Sequence, residues 1–176
     1  MDRRTPARLL LALAVASSLT ACGRDDGESA STAQACESRP ATAEAPDGVS
    51  ADLTVAPEVP ATDDAPPCDL QISDVVVGDG PEATAGSAVA VKYVGAFYGT
   101  GEEFDSSWSR GDDETLPVTL GTGGVIEGFD QGITGMQVGG RRLVVIPSDL
   151  GYGADGQGPI PGGATLVFVI DLVSGS

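Results

Sequence analysis

The sequence predicts an α+β domain over residues 69–176, in which an antiparallel sheet of about five strands carries one short helix on one face. Two observations support this prediction. The one Trp, three Tyr and four Phe of the 176-residue chain all lie between Tyr93 and Phe168, which places the hydrophobic core in this region. Five segments of the region have strand character, whereas only one has helical character.

Each predicted element has its own signal. The strand segments are rich in β-branched residues and bounded by turn residues, and they span 70–78, 87–99, 115–121, 141–147 and 164–173. The last of them is apolar enough to be a central strand. The helical segment, about 128–136, is short and interrupted by glycine. Propensity alone would not maintain such a helix, so it must pack on the sheet.

The N-terminus has the pattern of an export signal over residues 1–21. Arg3, Arg4 and Arg8 precede an apolar run that is too short to span a bilayer. The tetrapeptide Leu-Thr-Ala-Cys, ending at Cys22, resembles the bacterial lipobox, in which the cysteine becomes lipid-modified. Several acyl chains on Cys22 would give stable anchoring. The alternative is an ordinary signal peptide followed by a chance cysteine.

Residues 22–68 have the composition of a flexible acidic tether. They contain no aromatic residue and are rich in Ala, Thr, Ser, Asp, Glu and Pro. Cys36 and Cys68 lie in this segment, and two leftover cysteines in an exported protein predict a disulfide. The alternative is a pair of free thiols.

Charge and composition exclude several function classes. The formal net charge is −17, which argues against a nucleic-acid partner because phosphate binding relies on Lys and Arg. The chain has no histidine, which excludes histidine-based acid–base catalysis, His-dependent triads and His metal sites. We therefore expect neither a metal nor a cofactor.

Several side chains that interrupt the strand pattern could together line an apolar, aromatic pocket with a few polar groups at its rim, which is the usual composition of a small-ligand site. They are Tyr93, Phe104, Asp105, Arg110, Val125, Ile126, Phe129, Tyr152, Ile160 and Phe168. The simpler alternative is that the three phenylalanines are plain core residues and that Asp105 and Arg110 form a surface ion pair.

Four motifs carry a specific resemblance over nearly the whole of residues 70–174. "VKYVG", "EEFDSS", "VIEGFDQGITGMQVGGRR" and "GYGADGQGPIPGGATLVFVIDL" follow one another as in the FKBP-type peptidyl-prolyl cis–trans isomerases, which bind tacrolimus and rapamycin. The resemblance implies a half-barrel of antiparallel sheet wrapped around one short helix. It also implies catalysed rotation about X–Pro bonds.

The resemblance assigns site residues one by one. Tyr93, Phe104, Asp105, Val125, Ile126, Tyr152 and Phe168 match the family pocket in identity, Arg110 matches the arginine after the Phe-Asp pair, and Ile160 matches the apolar loop-tip residue. Three positions depart from the pattern. The pocket floor, often Trp, is Phe129; a rim aromatic is Leu116; and a loop histidine of some members is Gln157. The last two departures concern ligand preference more than activity.

Within this pocket we expect the Tyr152 hydroxyl and the backbone N–H of Ile126 to hold the substrate's carbonyl groups. Asp105 is expected to hydrogen-bond Tyr93 or to pair with Arg110, and not to act as a general base.

The sequence thus predicts a monomeric isomerase that assists the folding of exported proteins. Its partners would be Pro-containing polypeptides, macrolides such as tacrolimus or rapamycin, and the bacterial cell membrane through Cys22, so that it acts outside the cytoplasm. Two alternatives stay open. One is a binding module or holdase chaperone for Pro-containing segments with little turnover, and the other is a structural envelope lipoprotein with a vestigial pocket.

Overall fold

The structure is a computed structural model that describes residues 36–38, 47–111 and 113–176. These residues all belong to one compact unit. The export signal 1–21 and Cys22 lie outside the described residues. Within the described ranges, no helix has the length and apolarity needed to cross a membrane.

The core of the fold is an open, antiparallel sheet of six strands. The strands are β1 (Gln71–Val76), β2 (Ala88–Phe97), β3 (Glu103–Ser106), β4 (Leu116–Thr119), β5 (Arg141–Ile146) and β6 (Leu166–Gly175). Their order is β1-β5-β6-β2-β3, and β4 pairs with β2 beyond the end of β3. The predicted antiparallel sheet with one helix is confirmed, with β6 central as its composition indicates. The additional strand is β3, whose four residues include two carboxylates and carry no strand pattern.

Among the described residues there is one α-helix, α1 (Glu127–Ile133), and it lies on β5 and β6. It ends three residues earlier than predicted, because Thr134 leaves helical geometry and Gly135 takes a φ of +83°. The helix glycines that weaken its propensity permit its close approach to the sheet. A Cβ at Gly132 would lie 2.8 Å from Val144, and one at Gly128 would overlap Ile146.

Both faces of the central strands are buried. Val144, Ile146, Phe168 and Ile170 lie in the larger core beside α1, whereas Leu143, Val145, Val167 and Val169 form a second cluster on the opposite face. The second cluster is covered by Val49 and Val59, among others. The near-continuous apolar sequences of β5 and β6 are therefore those of strands buried on two faces.

The segment 47–68 is also held on this second face through its backbone. Arg141 is fully buried and forms a bidentate ion pair with Asp171, at 2.6 and 2.7 Å. Its remaining N–H groups donate to the carbonyls of Ser50, Asp52 and Val55 at 2.6, 3.1 and 3.0 Å. A buried guanidinium needs all of its donors satisfied, and these carbonyls satisfy them.

A disulfide between Cys36 and Cys68 closes the end of this segment, beside the buried Pro67. The expectation of a flexible tether over 22–68 is therefore wrong for residues 47–68. Composition measures how much apolar side-chain surface a segment can bury, and it does not register the backbone carbonyls of this segment that bind a buried charge.

Candidate active site

A cavity of about 180 Å³ lies between the sheet and the start of α1. It is lined by nearly all of the predicted pocket residues, namely Tyr93, Phe104, Asp105, Leu116, Val125, Ile126, Phe129, Tyr152 and Phe168, together with Gly124. Arg110 and Ile160 do not line this cavity but lie directly beside it. We call it the proline pocket.

The wall and floor of the proline pocket are a cluster of aromatic rings in edge-to-face contact. The ring centroid of Phe129, the aromatic residue of α1, lies 5.1 Å from that of Phe168 on β6 and 5.8 Å from that of Tyr93 on β2. Phe104 of β3 packs on Phe168 at 5.6 Å. Phe129 and Phe168 are 3% and 4% exposed, so this floor is apolar and largely buried. Such pairs add about 0.5–1.5 kcal/mol beyond their area burial.

Gly95 is a site residue that the sequence reasoning missed. It lies on β2 in register with Phe168 on β6 and with Asp105 on β3. A Cβ at this position would lie 2.7 Å from Cε1 of Phe168 and 2.9 Å from Cζ of Phe104. Only glycine therefore lets both rings lie against the strand. A glycine inside a strand often marks such a close approach, and this signal was available in the motif "VKYVG".

The rim of the pocket is a closed polar triangle. The Tyr93 hydroxyl donates to Oδ2 of Asp105 at 2.5 Å, Arg110 Nη2 donates to the Tyr93 hydroxyl at 2.9 Å, and Arg110 Nη1 pairs with Oδ1 of Asp105 at 2.7 Å. A 3₁₀ turn, Trp108–Arg110, follows β3 and carries the arginine. Just before it, Ser107 Oγ accepts from the Tyr93 N–H at 2.9 Å.

These contacts determine the charge state of the rim. Partial burial alone would raise the pKa of Asp105, but the hydrogen bonds from Tyr93 and Arg110 outweigh it and hold that pKa below its usual value. Partial burial and the hydrogen bond to Asp105 raise the pKa of Tyr93. Asp105 is therefore an anion and Tyr93 a neutral donor throughout the physiological range.

Two hydrogen-bond donors at the pocket have no protein partner among the described residues. The Tyr152 hydroxyl donates to none of these residues, and neither does the backbone N–H of Ile126, the residue just before α1. Partial burial, followed by the negative charge of Asp105, raises the pKa of Tyr152. Its hydroxyl therefore keeps its proton at neutral pH and is available to a bound carbonyl oxygen.

A second cavity, of about 260 Å³, continues from the proline pocket. It shares Phe104, Asp105 and Tyr152 with that pocket and adds Gln157 and Ile160 from the Gly/Pro-rich loop. The loop tip is fastened by reciprocal backbone hydrogen bonds between Gln157 and Ile160, both 2.9 Å. Ile160 is 7% exposed and forms an apolar wall. Within the described residues, no group of His, Cys, Asp and Glu side chains could hold a metal ion.

Comparisons with known proteins agree with this geometry. The family model "FKBP-type peptidyl-prolyl cis-trans isomerase" matches residues 80–173. An FK506-binding protein of Streptomyces anulatus is 53% identical over 120 residues, which cover 67% of this chain and 95% of that protein. A probable FK506-binding protein of Corynebacterium glutamicum is 52% identical over 108 residues, which cover 61% of this chain and 88% of that protein.

Solved structures share the fold. The crystal structure of AtFKBP13 is 39% identical, with a TM-score of 0.56, and the match covers 61% of this chain and 93% of that one. A peptidyl-prolyl cis–trans isomerase from Pseudomonas syringae pv. tomato is 33% identical, with a TM-score of 0.53, and the match covers 61% and 75% of the two chains.

Proposed function

Because this chain belongs to the FKBP-type peptidyl-prolyl cis–trans isomerase family and is such an isomerase, we propose that it catalyses rotation about X–Pro bonds of exported polypeptides in the proline pocket. The observation that supports this assignment most directly is the buried aromatic floor beside two hydrogen-bond donors that have no partner among the described residues. Such a pocket accepts an apolar ring and the carbonyl groups next to it.

The reaction is a rotation about the X–Pro amide bond, and no covalent bond is formed or broken. Amide resonance opposes twisting with a barrier of about 18–20 kcal/mol. Resonance also places negative charge on the carbonyl oxygen, and water stabilises this planar, polar form. When the amide enters the apolar pocket, this hydration is lost. The twisted amide is less polar than the planar amide, so it loses less hydration free energy on leaving water. The barrier to rotation therefore falls.

Phe129, Phe168 and Phe104 supply the apolar surface that replaces water around the prolyl ring. The Ile126 N–H and the Tyr152 hydroxyl hold the carbonyl groups on either side of the rotating bond, so that the twisted form is bound better than either planar isomer. No nucleophile is required.

Asp105 acts in this scheme by shaping the rim. Its carboxylate accepts from both Tyr93 and Arg110, which fixes the ring of Tyr93 at the pocket wall. The lowered pKa of Asp105 makes it a poor proton acceptor near neutral pH. Proton transfer is therefore not part of the proposed step.

The same pocket is the proposed binding site for FK506-type macrolides, for which several relatives are named. Leu116 at the rim and Gln157 in the adjoining cavity are two of the three positions at which this chain departs from the family pattern. We expect them to affect macrolide affinity more than turnover, because neither is one of the two unpartnered donors.

The proposed place of action is the outer side of the bacterial cell membrane, with the monomeric protein anchored through a lipid on Cys22. The export pattern and the lipobox support this proposal, as do the two cysteines outside it, which are joined as a disulfide. The partners would then be Pro-containing chains that fold after export.

The test is an X–Pro exchange assay on the full chain, purified in detergent so that a lipid on Cys22 stays soluble. We expect faster cis–trans exchange of a tetrapeptide with an apolar residue before proline, and inhibition by rapamycin. The uncatalysed exchange takes tens to hundreds of seconds. Tight peptide binding without faster exchange would instead support a holdase.

A further inference from the structure

A second groove, of about 810 Å³, lies beside the isomerase site. Its walls come from residues 62–66, from the turn 97–102 between β2 and β3, and from the loop 159–165, and we call it the acidic groove. Hydrogen bonds fasten the first wall to the second, from the Thr62 N–H to the Gly99 carbonyl at 3.2 Å and from the Tyr98 hydroxyl to the Ala65 carbonyl at 3.4 Å. The groove is therefore built into the fold by the segment that precedes the sheet.

The acidic groove is continuous with the site of catalysis. Phe97 lines the groove and packs on Phe104, a wall of the proline pocket, with ring centroids 5.2 Å apart. Pro159 lines both the groove and the cavity that adjoins the proline pocket. A polypeptide with its proline in the pocket can therefore reach the groove within a few residues, since an extended chain spans about 3.3 Å per residue.

The groove carries negative charge that no described cationic side chain neutralises. Asp63, Asp64 and Glu102 are exposed at its rim, and none forms an ion pair with a residue that the structure describes. The described arginines pair with carboxylates elsewhere: Arg110 with Asp105, Arg141 with Asp171 and Arg142 with Asp74. The three groove carboxylates are not arranged to hold a metal ion. The group that complements these carboxylates in charge is therefore a cationic side chain of a bound polypeptide.

We propose that the acidic groove binds a Lys- or Arg-containing segment of the polypeptide whose proline occupies the pocket, so that the enzyme favours prolines flanked by basic residues. The proposal rests on the isomerase function. The aliphatic stem of a Lys or Arg would lie along Phe97 and Tyr98, and its charged head would reach the carboxylates. Two of the three groove carboxylates, Asp63 and Asp64, lie outside the family match at 80–173, so the binding preference depends in part on the segment that precedes it.

The test compares three peptides of about twelve residues that share one apolar-Pro centre. They carry Lys on the N-terminal side, Lys on the C-terminal side, or Gln on both sides. We expect kcat/KM for one of the two Lys peptides to exceed that for the Gln peptide by about three- to tenfold at low salt, as two or three exposed ion pairs would give. The ratio should approach one at about 0.5 M salt, where exposed charges are screened.

Two triple variants, each of which removes three negative charges, distinguish an effect of the groove from an effect of the protein's overall negative charge. Asp63→Asn, Asp64→Asn and Glu102→Gln together should bring the Lys-to-Gln ratio to about one. The matched control is Asp47→Asn, Asp79→Asn and Glu82→Gln, which are exposed and outside the groove. This control should keep both the ratio and the turnover of the Gln peptide.

Three outcomes would overturn the proposal. Equal kcat/KM for all three peptides would remove the preference itself. Equal loss of the ratio in both variants would assign it to the field of the whole protein and not to the groove. If neither the unmodified protein nor the two variants turned over the Gln peptide, the proposed isomerase function would be wrong. That result differs from turnover of all three peptides without a preference, which would be evidence against the groove proposal alone.

Discussion

Gly95→Ala is expected to damage the proline pocket while leaving the fold intact. The new Cβ would lie 2.7 Å from the Phe168 ring and 2.9 Å from the Phe104 ring. Carbon atoms in contact lie about 3.5–4.0 Å apart, so the Phe168 ring, starting from 2.7 Å, must move by about 0.8 Å or more. Both rings line a cavity of only about 180 Å³. A displacement of this size in a site can cost about 100-fold in rate, and overpacking costs about 1–3 kcal/mol in folding free energy.

The assay is kcat/KM for an X–Pro tetrapeptide, measured beside urea unfolding of the same samples. We expect kcat/KM to fall by about 10- to 100-fold and the folding free energy to fall by about 1–3 kcal/mol. Gly99→Ala is the control, since its Cβ would meet no atom closer than the Thr62 carbonyl oxygen at 4.0 Å. If the two variants had the same kcat/KM and the same stability, the close-approach argument for Gly95 would be refuted.

Three further changes test separate parts of the description. Phe129→Ala removes the floor and should cost about 3–5 kcal/mol in stability; among folded molecules it should lose more kcat/KM than Asp105→Asn, and the reverse order would contradict the desolvation mechanism. Cys22→Ser should move the full chain from the membrane fraction to the soluble fraction, whereas continued membrane association would argue against the lipid anchor. Reduction of the Cys36–Cys68 disulfide should lower the folding free energy by about 3–4 kcal/mol, measured as a lower urea midpoint with reductant; an unchanged midpoint would show that the bond adds nothing.

The sheet and the pocket could be predicted from the sequence because their signals are local or follow a motif. The apolar runs of β5 and β6 predict buried strands, and the four motifs give the pocket residues in order. β3 escaped prediction because its pattern is polar at Glu103 and Asp105, and it forms by pairing with β2. Gly135 could have marked the end of α1, since a glycine with positive φ commonly ends a helix.

The ordering of residues 47–68 could not be predicted from their own composition. One cause is Arg141, whose buried guanidinium binds three carbonyls of a segment distant in sequence. An indirect signal was present all the same. Strands apolar on both faces need cover on both faces, and a single helix can cover only one. That requirement pointed to a second covering segment before the sheet.

The measurement that tests the central claim most directly is the dependence of kcat/KM on pH in the unmodified protein. The pKa of Asp105 is lowered, so this group is ionised well below pH 5, and the pKa values of Tyr93 and Tyr152 are raised, so both stay protonated beyond their usual range near 10. None of these three pocket groups therefore changes charge between about pH 5 and 9. Catalysis by desolvation and binding of the twisted amide predicts a flat profile over that interval. If kcat/KM changed about tenfold per pH unit in part of this interval, general acid–base catalysis would be shown and the mechanism would be contradicted.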